Sequence, residues 1–233
     1  MFIRKIFGVM MLLAILTLPQ NVSATKDDWY DKNFYFRNVR SVIVFDVTVS
    51  PGVDYGGTIA MRNMQDTFLD SARKLKCTII TEAQAYRTLG YQLGMNLENI
   101  AYSNPMHARQ IVMQNAYRIA DAWVIGNVDT IANNFYIEPE RTVWESRKET
   151  HYYRDRYGNR REETHYVQVP VTYPPRRVDV STIEMTMQMY EARRGEAVFA
   201  RKDSRDRNDF QAQKGMFGRM CNSFFEDLGK KIH

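Results

Sequence analysis

Two short echoes of one another, Glu149-Thr150-His151-Tyr152 and Glu163-Thr164-His165-Tyr166, hold the residues best suited to chemistry. Imidazole and carboxylate ligate zinc or copper, and two histidines facing each other across a β-ladder supply half of a four-ligand site. Between the echoes lies Asp155-Arg156-Tyr157-Gly158-Asn159, a turn sequence in which Gly and Asn accept positive φ at little cost. Centred on Gly158, that turn sets His151 directly opposite His165, with Glu149 or Glu163 nearby. A metal needs a third and fourth ligand as well, and a one-residue change of register sends the two imidazoles to opposite faces. The plainer expectation is a surface ladder of polar and aromatic pairs, with no metal and no cofactor.

Other candidate sets are thinner. Asp46, Asp129 and Glu184 fall on predicted strands as a possible acid–base group. Nothing in the sequence fixes their separation, and Asp46 at a strand end is expected to cap a neighbouring backbone group. Met185, Met187 and Met189 have the spacing of a copper relay, and equally that of core-facing positions on a strand, which is the commoner use of methionine. Gly56-Gly57 precedes a helix but lacks the Gly-Lys-Ser/Thr ending of a phosphate-binding loop. No Gly-x-Ser-x-Gly elbow, zinc-protease motif or Cys–His nucleophile pattern is present. The expectation is a protein without catalytic residues. Aromatics, by contrast, concentrate around the two echoes. Trp144, Tyr152, Tyr153, Tyr157 and Tyr166, with Arg156 and Arg160, are the candidate partner-binding residues, because Tyr, Trp and Arg are favoured at interfaces.

These residues need a scaffold, and the flanking sequence predicts one. Ser41–Val49 is a nearly continuous β-branched run, the pattern of a strand covered on both faces. Met61, Met64, Phe68, Ala72 and Leu75 recur at helical steps within a helix predicted over 58–76. A short strand over 77–81 and a helix over 82–93 follow. Asn104-Pro105 then starts a helix running to about Ala120, and 122–129 is a third strand. This β-α-β-α-β order implies parallel pairing. Residues 180–190 alternate strictly and return through Arg194-Gly195 into a partner strand over 196–201. Phe217, Met220, Phe224 and Leu228 give a last helix its apolar stripe. The stretch 132–177 interrupts this plan as an inserted, solvent-exposed β-hairpin arm. The fold expectation is a single α/β (α+β) domain over 25–233, a mixed sheet flanked by helices, carrying that insertion.

The amino-terminal end has the three parts of an export signal: Arg4 and Lys5, the uncharged apolar run Ile6–Leu18, and a small-residue cleavage site at Val22-Ser23-Ala24. The expected signal is residues 1–24 and the expected location periplasmic or secreted, with no transmembrane segment after cleavage. Removing Arg4 and Lys5 lowers the net charge from +5 to +3. Acids and bases alternate without a basic stripe, which argues against nucleic acid as a partner. Cys77 and Cys221 are the two cysteines. Two buried thiols are the plainer expectation, and a single bridge, which export permits, is the alternative.

Three stretches resemble a known periplasmic fold. They are Val42-Ile-Val-Phe-Asp46; Ala116 to Val128, a helix end, an Ala-Asp, and a hydrophobic strand closing on Gly-x-Val; and the hairpin Met185 to Phe199 with its Gly195-Glu196 turn. Together the chain is similar to the family shared by the curli-secretion protein CsgG, the amino-terminal domain of TolB and the penicillin-binding-protein activator LpoB. The chain departs from much of that family in lacking a lipidation cysteine and in carrying the arm. The arm's charges, among them Arg147, Lys148, Arg154, Arg156, Arg160, Arg161, Glu162 and Glu163, are unsuited to lipid. The resemblance and the arm together predict a non-enzymatic envelope adaptor that binds another envelope protein or associates with itself. Binding of peptidoglycan or another polysaccharide, and a metal-dependent hydrolase built on His151 and His165, are the alternatives.

Overall fold

The computed structural model describes residues 24–208 and 213–233. The chain divides into two compact units, one formed by residues up to 134 together with 180–233, the other by 135–179. Residues 1–23 of the expected export signal lie outside the described residues.

In the first unit the buried strand begins the sheet. β2 (Ser41–Val44) pairs in parallel with β4 (Thr78–Thr81) on one side and β5 (Ala122–Glu138) on the other. Val42 and Val44 enter one apolar cluster, while Ile43 and Phe45 enter the other. This double burial explains why the run is apolar without alternation. Short β3 (Thr48–Val49) also pairs with β5. The order across the sheet is β1 (Ala24–Tyr30), β9 (Ala197–Arg207), β8 (Arg176–Glu191), β5, β2, β4, so the sheet is mixed and the α/β assignment holds. β8 and β9 are antiparallel. Ile183, Met185, Met187 and Met189 are completely buried. Each contributes roughly 2 kcal/mol of apolar burial, and the stripe is core.

The helices form where sequence-local signals are strong. α1 (Thr58–Ala72) and the last helix, α5 (Gln213–Ile232), cover the methionine face, with Phe68 edge-on to Phe225 at 5.1 Å between ring centroids. α2 (Glu82–Leu93) begins in a reciprocal cap: Thr81 Oγ1 accepts from the Gln84 backbone N–H and Gln84 Oε1 accepts from that of Thr81. α3 (Leu97–Ser103) is a helix the apolar periodicity does not announce. α4 (Pro105–Asn115) starts under an Asn104 cap and gives way to a 3-10 turn over Ala116–Arg118, so it ends earlier than expected. Helices α2 to α4 bury Leu89, Leu97, Ala108 and Val112 against Ile43, Phe45 and Trp123.

The close of α2 leaves no room for a side chain. Gly94 turns left-handed at φ 66°, and the Met95 N–H donates back to the Gly90 carbonyl at 2.9 Å. A Cβ on Gly90 would lie 2.7 Å from the Met95 carbonyl oxygen, a backbone atom with nowhere to go. Gly90→Ala is therefore expected to destabilise the protein by about 1–3 kcal/mol despite alanine's better helix propensity. Urea denaturation measures this directly.

The lead-in segment differs from expectation. Ala24–Tyr30 is an edge strand, β1, paired antiparallel with β9 from Ala24↔Arg205 to Tyr30↔Phe199. Its seven residues are all exposed, so no hydrophobic alternation marks it in sequence. The cysteines remain free thiols, Cys221 buried and Cys77 partly so. Burial, with the nearby Asp121 carboxylate, pushes the Cys77 thiol up to about 11; burial likewise raises that of Cys221. Neither is an activated nucleophile.

In the second unit β6 (Arg141–Arg154) and β7 (Arg160–Tyr173) form a two-stranded antiparallel ribbon, fourteen residues to each strand. At 3.4 Å per residue it is roughly 45 Å long. The five-residue turn Asp155–Asn159 joins the strands, with Gly158 at φ 83°. Asp155 organises it, its carboxylate accepting from the Tyr157 and Asn159 backbone N–H groups and from Arg161.

Candidate functional site

The ribbon's register decides what its residues can do. His151 stands opposite Glu163, and Glu149 opposite His165. The two histidines are thus diagonal neighbours, offset by two residues from the directly facing arrangement that a turn centred on Gly158 predicts. The five-residue turn Asp155–Asn159 is centred on Tyr157, which moves every pairing by two. An even shift keeps both imidazoles on one face, with ring centroids 6.0 Å apart. Yet each ring nitrogen turns to the glutamate on its own strand: His151 Nε2 lies 3.8 Å from Glu149 and His165 Nε2 lies 3.3 Å from Glu163. Among the described residues no group of three or more His, Cys, Asp or Glu side chains is placed to hold a metal ion.

The candidate partner-binding residues separate into three places. Trp144, Tyr152, Tyr166 and Arg160 share one face of the ribbon, Tyr153 lies on the other, and Arg156 and Tyr157 occupy the turn. All five aromatics are exposed, Trp144 at 65% and Tyr166 at 72%. The Arg160 guanidinium sits 4.6 Å over the Tyr152 ring and that of Arg156 sits 4.9 Å over Tyr157. The Trp144 face also carries Lys148 and Arg154 against the single acid Glu162, so it is basic as well as aromatic.

The opposite face holds residues that aromatic content does not reveal. Val143, Val167, Val169 and Val171 fall there with Tyr173, and Val143 pairs with Val171. The signal is present in the sequence as Val167-x-Val169-x-Val171, a period-two apolar run. The same face carries Arg141, Arg147 and Arg161 with Glu145, Glu149 and Glu163. Glu145 accepts a hydrogen bond from the Tyr173 hydroxyl.

The three carboxylates considered for acid–base work do not converge through shared partners. Asp129 accepts from Thr186 and Asn127, both at 2.6 Å, and Glu184 from Ser204 and Thr130. Asp46 does not cap a backbone group; the reverse holds, its own backbone N–H donating to Glu82 Oε2 at 2.8 Å. Burial, together with the charge of Glu82, raises the Asp46 carboxyl. Glu82 itself sits almost fully buried in a fork from Arg109, with Nε to Oε1 at 2.9 Å and Nη2 to Oε2 at 2.6 Å, and it accepts from the Tyr86 hydroxyl. Arg109 Nη2 also donates to the Asp46 carbonyl. Glu82 thereby ties the first turn of α2 and the middle of α4 to the loop after β2. With four donors on its two oxygens, it is a structural clamp.

A second clamp binds the edge strand. The Arg201 side chain is completely buried. Its Nε and Nη2 donate to Asp28 on β1 at 2.5 and 2.8 Å, and Nη2 donates to Asp227 on α5 at 2.9 Å. Lys26 and Lys230 also pair with Asp227. Neither network is legible in sequence, because its members lie far apart along the chain.

No protein-family model matches the chain, and no curated protein sequence matches it. Among solved structures, the chain is similar to a PelC dodecamer from Paraburkholderia phytofirmans, with 12% identity, a TM-score of 0.42, and coverage of 89% of this chain and 98% of that one. It is also similar to the lipoprotein GNA1162 from Neisseria meningitidis, with 14% identity, a TM-score of 0.38, and coverage of 82% and 98%. No helix among the described residues is long and apolar enough to cross a membrane.

Proposed function

We propose that this chain is an exported, non-enzymatic adaptor of the cell envelope, of the CsgG and TolB-amino-terminal kind, and that it holds another envelope protein on the basic aromatic face of its ribbon. The observation that carries this reading is the gathering of Trp144, Tyr152 and Tyr166 on one exposed face with Lys148, Arg154 and Arg160. Exposed Trp and Tyr anchors flanked by Arg are the composition of interface hot spots. A two-stranded ribbon without a packed layer is at best marginally stable alone, so a covering partner also stabilises it. The cell-wall saccharide reading is less favoured, because Arg160 already stacks on Tyr152 and takes up a ring face that a sugar needs.

The test is capture from envelope extract using the intact protein, a variant lacking residues 140–176, and Trp144→Ala with Tyr166→Ala. One protein is expected on the intact bait and not on the deletion, with affinity lowered about tenfold or more by the paired alanines. Equal capture by all three overturns the proposal.

A further inference from the structure

The ribbon's second face has no counterpart in that adaptor reading. It is an apolar stripe of Val143, Val167, Val169 and Val171, bordered by Tyr173 and by charges that balance, three arginines against three glutamates. Val143 is 39% exposed, and the other three valines are partly so. The opposite face has three basic residues, Lys148, Arg154 and Arg160, against Glu162. One ribbon therefore presents a basic aromatic surface and a neutral, valine-centred surface back to back.

We infer that the valine face docks on the same face of a second copy of this chain. Charge identifies the occupant. An acidic partner would leave Glu145, Glu149 and Glu163 facing like charge, and a basic partner would do the same to Arg141, Arg147 and Arg161. A surface of zero net charge with both signs interspersed along its length is complemented by its own two-fold copy: with the axis between the Glu145–Val169 and Arg147–Val167 pairs, Glu145 of each ribbon meets Arg147 of the other and Val167 meets Val169. Area agrees. A ribbon roughly 45 Å long and two strands wide offers about 450 Å² per face, so two faces together bury on the order of 1,000 Å², the lower end for a specific interface. The result is a reversible, concentration-dependent dimer, built like a small β-sandwich of two ribbons. It leaves Trp144, Tyr152 and Tyr166 of both copies pointing outward, so each dimer displays two adaptor surfaces. This inference rests on reading the ribbon as a contact element, but it uses the face that the adaptor proposal leaves free.

Sedimentation velocity on the purified protein over a wide concentration range tests it. The unaltered protein is expected to move from monomer to dimer. Val167→Lys with Val169→Lys is expected to weaken dimerisation by about a hundredfold or more, with the urea midpoint of the first unit unchanged, since neither valine contributes to its core. Charge exchange excludes simple misfolding. A chain with Glu145, Glu149 and Glu163 changed to Arg, and a chain with Arg141, Arg147 and Arg161 changed to Glu, should each remain monomeric alone and form a one-to-one heterodimer when mixed. Monomer at every concentration overturns the inference, as does self-association of either exchanged chain as strong as that of the original. An unaltered protein that stays monomeric at every concentration while capture by the Trp144 face is intact overturns this inference alone. Dimer without capture overturns only the adaptor proposal.

Discussion

Arg201→Ala is expected to remove about 3–5 kcal/mol of folding stability and to release the edge strand β1 from the sheet. The side chain is wholly enclosed, and truncation removes the buried guanidinium from between Asp28 and Asp227, leaving them only the part-exposed ammonium groups of Lys26 and Lys230. It also vacates the space under Phe199 and Phe224, whose ring centroids lie 5.7 and 5.8 Å from the guanidinium carbon. Beyond its backbone ladder to β9, the Lys26–Asp227 pair and Lys231 over the Tyr30 ring, β1 is exposed along its whole length and has no apolar burial to hold it. Urea denaturation gives the loss, and backbone hydrogen exchange at Lys26 to Trp29 gives its location. A change under about 1 kcal/mol would mean that water screens this network as it screens surface pairs.

The same network predicts acid sensitivity. Burial alone would raise the Asp28 carboxyl, but hydrogen bonds and charge from Arg201 outweigh it and hold Asp28 below the usual range. Lys230 and Lys26, and then Arg201, hold Asp227 further below. Both groups thus bind a proton less readily folded than unfolded. Their contribution is fully present above the ordinary aspartate pKa of about 4 and is lost as pH falls through the lower folded values. Stability is expected to hold from neutral pH to about pH 5 and to decline below about pH 4. Arg201→Ala should partly flatten that decline, because Asp28 loses the larger of its two cationic partners and keeps only Lys26.

Arg109→Ala is expected to cost a comparable 3–5 kcal/mol, for a related reason. Glu82 is 7% exposed and depends on Arg109 for two of its four hydrogen bonds. Without the guanidinium a carboxylate remains buried against the Tyr86 hydroxyl, and the Asp46 carbonyl loses its donor. The double variant Arg109→Met, Glu82→Met removes the orphaned charge and should recover part of the loss. Tyr86 provides a spectroscopic check. Burial, and then its hydrogen bond to Glu82, raise its phenol above the usual range, so it stays protonated when exposed tyrosines ionise. Tyr173, through its hydrogen bond to Glu145, and Tyr190, through burial, are raised as well, so alkaline difference spectra should show several late-titrating tyrosines, and Glu82→Met should move Tyr86 alone toward the others.

The parts of the fold that the residues announce are those in which neighbours along the chain carry the signal. The doubly buried β2 shows as an apolar run, α2 and α4 show through their caps, and β8 shows as the Ile183-to-Met189 alternation with Gly195 at its turn. β1 was hidden because an edge strand exposed on both faces has no alternation to show, and its polar residues Asp28 and Lys26 are held by Arg201 of β9 and Asp227 of α5. α3 was hidden because only Leu97 in it is buried. The long ribbon was visible from its turn and echoed segments. Its register was not, because a turn of five residues and one centred on Gly158 fit the same sequence, and they differ by two in every cross-strand pair.

The sequence by itself determined the order of the elements other than β1 and α3, the mixed α/β class, the inserted hairpin and the aromatic, arginine-rich character of that insertion, since each of these follows from local spacing. Tertiary structure alone decided that the two imidazoles meet diagonally and pair with their own glutamates, that Trp144, Tyr152 and Tyr166 part company with Tyr153, and that the valines gather with balanced charges on the far face. It alone joined Arg201 to Asp28 and Glu82 to Arg109, over 173 and 27 residues. Such contacts are chosen by which strand lies beside which and in what register. Those choices are made by burial summed over the whole sheet, and no single segment records them.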